Sequence, residues 1–134
     1  MVNRRDFVWS AAAGVGAMTA MSSEILTAAQ EAREATMSLN VVYPNREGAR
    51  FDTAYYRSSH IPLAMKVMKA SRVMLIEGVP NGAAAAPYVM IAHFEFPSAD
   101  ALKAALANPA MADVRADVAK FTDIAPTVML GKSL

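Results

Sequence analysis

The chain has 134 residues, 54% of them apolar and 19% charged, with a net charge of +1 at neutral pH. That length is one domain with room for a single appended segment, and a balance so close to neutral offers no basic face to nucleic acid and no polybasic run to a membrane. The absence of cysteine excludes disulfides, thiolate metal sites and a cysteine nucleophile, which leaves two histidines, His60 and His93, as the side chains that titrate near pH 7.

Residues 1–36 read as a leader and linker. Asn3-Arg4-Arg5-Asp6-Phe7-Val8 resembles the twin-arginine export motif, and the Ala- and Gly-rich run over residues 9–21 is too short and too weakly apolar for a membrane-spanning helix. Small residues suit cleavage after Ala29, with Thr27 two positions earlier, or after Ala17. That route carries folded proteins, which fits a domain that needs no oxidative folding in the periplasm. The expectation is a periplasmic protein, touching the membrane only if the leader is retained, with its folded domain in residues 37–134.

Within that domain, residues 38–44 (SLNVVYP) alternate as a first strand and end at a Pro-Asn-Arg-Glu-Gly loop. Asp52 suits the first turn of a helix that runs to His60. Pro62 then removes the amide that would bond back to Ser58 and biases Ile61 away from helical angles, so a bend or restart is expected just after His60. Residues 72–79 and 88–96 form two further strands around a loose Pro-Asn-Gly turn, most simply an antiparallel hairpin. Ser98 caps a second helix to about Ala107, and Asn108-Pro109 restarts it as far as about Phe121. Residues 126–131 close the chain as a last strand. The order β-α-β-β-α-β is that of the α+β, ferredoxin-like split unit, an antiparallel sheet with helices on one face.

The strands carry one more message. Residues 88–96 place Tyr88, Met90, Ala92, Phe94 and Phe96 on one face and Val89, Ile91, His93 and Glu95 on the other, so neither face is cleanly polar. Helices cover one side only. A second copy is the simplest cover for the other, which predicts a two-fold homodimer with its sheets face to face.

Aromatic, ionisable and helix-breaking residues converge in FDTAYYRSSHIPLAMKVM, residues 51–68. His60 supplies a base near neutral pH, and Tyr56 one turn earlier supplies a hydroxyl for a developing oxyanion; the alternative for His60 is a structural role, bonding carbonyls freed by Pro62. Tyr43, Phe51 and Tyr55 are candidates to line an aromatic substrate pocket or to pack as core. Asn40 is polar inside an apolar strand, placed to bond a ligand or to face water. His93 shares a strand face with Glu95, and the pair is too few for a metal site, so no metal is expected.

Phe51, Asp52, Tyr55, Tyr56, His60, Pro62 and Leu63, spaced FDxxYYxxxHxPL after a strand ending in Tyr-Pro, resemble the signature of the EthD family. The resemblance extends over residues 38–134. It implies a ferredoxin-like subunit that pairs into a dimeric α+β barrel, without flavin or haem in most members, so no cofactor is expected. It also implies a loosely described oxidoreductase, related to cofactor-free monooxygenases, lactone isomerases, dehydratases and decarboxylases of aromatic or polyketide-like compounds. The activity it suggests is therefore His60-assisted proton abstraction from a hydrophobic carbonyl or phenolic molecule, with Tyr56 catalytic and Asn40, Tyr43, Phe51, Tyr55 and His93 around the substrate. Isomerisation or dehydration, or a binding module that does no chemistry, are the alternatives. The export leader departs from the cytoplasmic location expected of most relatives.

Overall fold

A computed structural model of the chain describes residues 36–134. The leader and its cleavage positions lie outside the described residues. Four strands, β1 (Met37–Pro44), β2 (Arg72–Glu77), β3 (Tyr88–Phe96) and β4 (Thr127–Lys132), form one sheet in the order β2-β3-β1-β4 with every neighbouring pair antiparallel. The helices between them complete the ferredoxin-like α+β arrangement.

Local chemistry explains where the elements begin and end. Asp52 caps α1 (Thr53–Tyr55), its carboxylate accepting from the Tyr55 amide at 3.0 Å. Ser98 caps α3 (Ala99–Ala107) in the same way, accepting from Ala101 at 3.1 Å. Asn108 ends α3 in an extended conformation, and its side chain accepts from Ala110 at 2.9 Å ahead of α4 (Met111–Asp117). A single 3-10 turn, Val118–Lys120, extends α4. In the β2–β3 connection, Gly78 passes so close to the Tyr88 carbonyl that any side chain would collide with it.

The helix around His60 does not break. Between α1 and α2 (Ile61–Met68) lies a π-helical turn, Tyr56–His60, closed by the Ile61 amide bonding the Tyr56 carbonyl five residues back. His60 and Ile61 both keep right-handed helical angles, so the conformational bias that proline imposes on its predecessor is overridden. Pro62 sits in the first turn of α2, where its missing amide costs least, and the wider turn before it absorbs the mismatch. The consequence is a continuous helix with a local bulge at His60.

The core lies between the sheet and the helices. Leu39 and Tyr43 of β1 and Met90, Ala92, Phe94 and Phe96 of β3 meet Ala64 and Met68 of α2, Leu102 and Ala105 of α3, and Met111 and Val114 of α4. Phe121, fully buried just after the 3-10 turn, is its aromatic hub; burying a side chain of that size contributes about 2–3 kcal/mol. A clamp fixes the hub beside the start of α1: the Asp52 amide donates to the Phe121 carbonyl at 2.7 Å and the Thr122 hydroxyl to the Arg50 carbonyl at 2.6 Å. The other side of the sheet is uncovered in the single chain, with Met74 and Ile76 of β2 and Met129 of β4 about half exposed or more.

Candidate active site

The π turn and the end of α4 bring His60 and Asp117 together in the interior. The His60 Nδ1 lies 2.9 Å from Asp117 Oδ2, and both side chains are almost wholly removed from solvent. Asp117 occupies the third position of the stripe Met111, Val114, Asp117 that α4 turns toward the core. A carboxylate at a helix C-terminus faces the negative end of the macrodipole and needs donors to hold it. It has three. Besides His60, the Tyr55 hydroxyl donates to Oδ1 at 2.8 Å and the exposed Lys120 ammonium approaches Oδ1 at 3.4 Å.

These contacts set the protonation states. Burial pushes the His60 imidazole below its ordinary value, and the hydrogen bond and charge of Asp117 oppose that without reversing it. His60 is therefore neutral at pH 7. Burial alone would raise Asp117, but the hydrogen bonds from His60, Tyr55 and Lys120 hold it below the ordinary carboxylate range. An ionised carboxylate only accepts, so the His60 proton resides on Nδ1 and the basic lone pair on Nε2.

Nε2 has no hydrogen-bond partner among the described residues. No buried side-chain nitrogen or oxygen among them lacks a partner, so Nε2 is open to the space beside it. That space is a cavity of about 200 Å³ between the sheet and the helices, lined by His60, Tyr43, Tyr56, Leu39, Val41, Ala64, Met68 and Phe94 and, toward α4 and β4, by Met111, Val114, Arg115, Val118, Pro126 and Val128. Its wall is apolar nearly throughout.

Tyr56 stacks on His60 with ring centroids 5.5 Å apart and planes 17° from parallel, and Phe121 tilts against the same imidazole at 4.5 Å. Burial, reinforced by the neighbouring Tyr43 hydroxyl, holds the Tyr56 phenol far above its ordinary value. Burial pushes Tyr43 up to about 12, against a hydroxyl contact with Tyr56 that works the other way. Both phenols stay protonated, so they serve as hydrogen-bond donors and not as bases.

The candidate residues named from sequence divide into three sets. His60, Tyr56 and Tyr43 meet at the cavity. Phe51 and Tyr55 stand behind it: Phe51 packs edge-on against Tyr43 at 5.2 Å and Phe121 at 5.4 Å, while Tyr55 spends its hydroxyl on Asp117. Asn40 and His93 are cross-strand partners on the opposite, open side of the sheet, joined at 2.6 Å from His93 Nδ1 to Asn40 Oδ1. His93 Nε2 lies 3.3 Å from Glu95 Oε1, which Arg72 also binds at 2.7 Å. Among the described residues no three His, Cys, Asp or Glu side chains cluster as a metal site, and no helix is long and apolar enough to cross a membrane.

Residues 48–125 match the EthD domain, and that match spans the π turn, His60 and Asp117. The chain belongs to the EthD family. A solved EthD-like protein from Ralstonia eutropha JMP134 is 30% identical over 74% of this chain and 92% of its own, with a TM-score of 0.68. An ethyl tert-butyl ether D (EthD) family protein from Bacillus halodurans is 17% identical, covers 74% of this chain and 99% of its own, and gives 0.60. A protein from Arabidopsis thaliana shares the fold at 15% identity, covering 73% of this chain and 95% of its own, with 0.55. No curated protein matches the chain.

Asp117 was not singled out from sequence, although a signal was present: it is an acid on the apolar stripe of a helix, three residues after Val114 and six after Met111. Phe121 continues the apolar stripe of Met111, Val114 and Val118, which marks it as core, but periodicity does not show that it packs against His60.

Proposed function

We propose that this EthD-family protein is a small exported enzyme that abstracts a proton from a carbon acid, a hydrophobic carbonyl or phenolic compound, without a bound cofactor. The observation that carries this reading is the neutral imidazole of His60, anchored through Nδ1 by Asp117 and opening through Nε2 into an apolar cavity. A base of that kind suits a proton next to a carbonyl. Nε2 takes the proton, the C–H electron pair moves into the enolate, and the protonated Tyr56 hydroxyl donates to the oxyanion. Asp117 then faces an imidazolium and stabilises it.

The enolate's fate depends on the substrate. Return of the proton to another carbon is isomerisation and loss of a β-leaving group is dehydration; passing electrons to dioxygen as co-reactant is the oxidation suggested by the family's oxidoreductase description. The test is a screen of phenolic and carbonyl compounds by product mass, with wild type against His60→Ala and Tyr56→Phe. Turnover lost in the first and reduced in the second supports the reading, and unchanged turnover in His60→Ala removes His60 from the mechanism. An apolar wall also suits a carrier. A compound that binds yet is recovered chemically unchanged from wild type would favour that second reading.

Two further parts of the proposal concern assembly and address. The half-exposed Met74, Ile76 and Met129 on the uncovered face support a homodimer, which sedimentation of wild type against Ile76→Lys would test. The Arg4-Arg5 pair supports export by the twin-arginine route. Loss of a cleaved periplasmic form when both arginines are replaced by lysine is the expected outcome.

A further inference from the structure

Besides the neutral His60, the cavity wall carries one charged residue, Arg115, and it has no partner among the described residues. Met111, Arg115 and Val118 follow one another at i, i+4 and i+7 along α4 and its 3-10 extension, and all three line the cavity. Arg115 is nonetheless exposed, so its guanidinium stands at the mouth and not in the interior. Across from it is β4, whose Val128 pairs with Val41 and so faces the helix side, yet is 60% exposed. The mouth therefore has one apolar lip and one cationic lip.

Among the described residues, Arg57 on the π turn is also unpaired but does not line the cavity, and the remaining arginines are occupied. Arg46 pairs with Asp123, Arg72 with Glu95, and Arg50 donates to the carbonyls of Ala119 and Lys120. Arg115 makes no ion pair or hydrogen bond among the described residues. The carboxylate nearest in sequence that faces inward, Asp117, is taken by His60, Tyr55 and Lys120.

We infer that the cavity takes a carboxylate-bearing ring compound, its one or two rings against the apolar wall beside His60 and its carboxylate paired with Arg115 at the mouth. This deepens the reading of the site as a proton-transfer centre and rests on it. The size fits, because an apolar cavity of about 150 Å³ holds a benzene ring and this one is somewhat larger. The charge fits, because a planar guanidinium presents two parallel donors to a carboxylate. The polarity also fixes direction: the anion is excluded from the apolar interior, so the far end of the ring is the end presented to Nε2.

The probe is 2-naphthoate, compared with its methyl ester, titrated calorimetrically into the full chain as wild type, Arg115→Gln and, as a control for general charge, Arg57→Gln. Wild type is expected to bind the acid more tightly than the ester. Arg115→Gln should weaken the acid about tenfold and leave the ester unchanged, while Arg57→Gln changes neither. Equal affinity for acid and ester, or an acid affinity within about twofold of wild type in Arg115→Gln, overturns the assignment. So does a wild type that binds neither. Turnover of neutral carbonyl compounds separates the two ideas. If it persists and still depends on His60, only the anion assignment falls; if it is absent as well, the proton-transfer reading falls with it.

Discussion

The two histidines stand on opposite sides of one sheet, each with an acid within hydrogen-bond or ion-pair reach, and only one keeps a ring nitrogen open to a cavity. His60 is buried, has one nitrogen held by Asp117 at 2.9 Å and leaves the other open to a cavity. His93 is half-buried and has both nitrogens engaged, Nδ1 by Asn40 and Nε2 by Glu95. Proximity to a carboxylate is therefore not what makes a base. What distinguishes His60 is an imidazole fixed at one nitrogen, idle at the other and desolvated enough to stay neutral.

The largest expected effect breaks that contrast directly. On any compound that wild type converts, His60→Ala should lower turnover by about 10²- to 10⁴-fold, the usual contribution of a positioned general base. His93→Ala should leave it essentially unchanged. Asp117→Asn should move turnover in the same direction as His60→Ala, because an amide can donate to Nδ1 and favour the tautomer with its proton on Nε2. A circular dichroism spectrum matching wild type would confirm that the loss is chemical. Equal losses at His60 and His93 would mean that the open face, not the cavity, carries the activity.

Stability should divide along the same line. Phe121 touches Tyr43, Phe51, Tyr56 and His60 at centroid distances between 4.5 and 5.9 Å and is fully buried. Phe121→Ala should cost about 3–5 kcal/mol in denaturant unfolding. Ile76→Ala, at a half-exposed position on the uncovered face, should cost about 0.5 kcal/mol in the single chain. A larger cost that grows with protein concentration would show that a second copy covers that face.

Sequence patterns carried the fold well because its signals are local. The alternation of β3 placed its ends at Tyr88 and Phe96, and Ser98 marked the start of α3 through a side chain that does cap it; Asn108 ends α3 and bonds Ala110 in the turn ahead of α4, which begins at Met111, two residues after the expected Pro109, without a side-chain cap. Pro62 located the irregularity but not its form: the α-helix does resume at Ile61, yet through a π turn that keeps helical angles and not through a break. The site was legible in part. The motif put His60 and Tyr56 side by side, and they stack. Asn40 and His93 were grouped with them because period-two alternation gives the two faces of a strand but not which face the helices cover. Asp117 comes from a helix 57 residues away, a pairing that only the tertiary fold supplies.

The last expected effect concerns pH, and it isolates His60 from the residues on the other face. Burial keeps the folded His60 below its ordinary value of 6.5, whereas in the unfolded chain it titrates near that value. Above pH 6.5 the imidazole is neutral in both states and its contribution to stability is fully present. As the pH falls below 6.5 the unfolded chain binds a proton that the folded chain refuses, so stability declines until the folded imidazole also titrates, by at most about 1.4 kcal/mol per pH unit for one proton. Asp117, held below its ordinary 3.8, loses its contribution in a separate and more acid window. Denaturant titrations of wild type between pH 7 and 3 should show both declines. His60→Gln should remove the upper one and keep the lower, and turnover of wild type should fall on the acid side below 6.5 with no alkaline loss from Tyr43 or Tyr56, whose phenols stay protonated to pH 10 and beyond. A wild-type stability that rises as the pH falls from 7 toward 6 would mean that Asp117 holds His60 as an imidazolium, and an ion pair of that kind has no lone pair to offer a substrate.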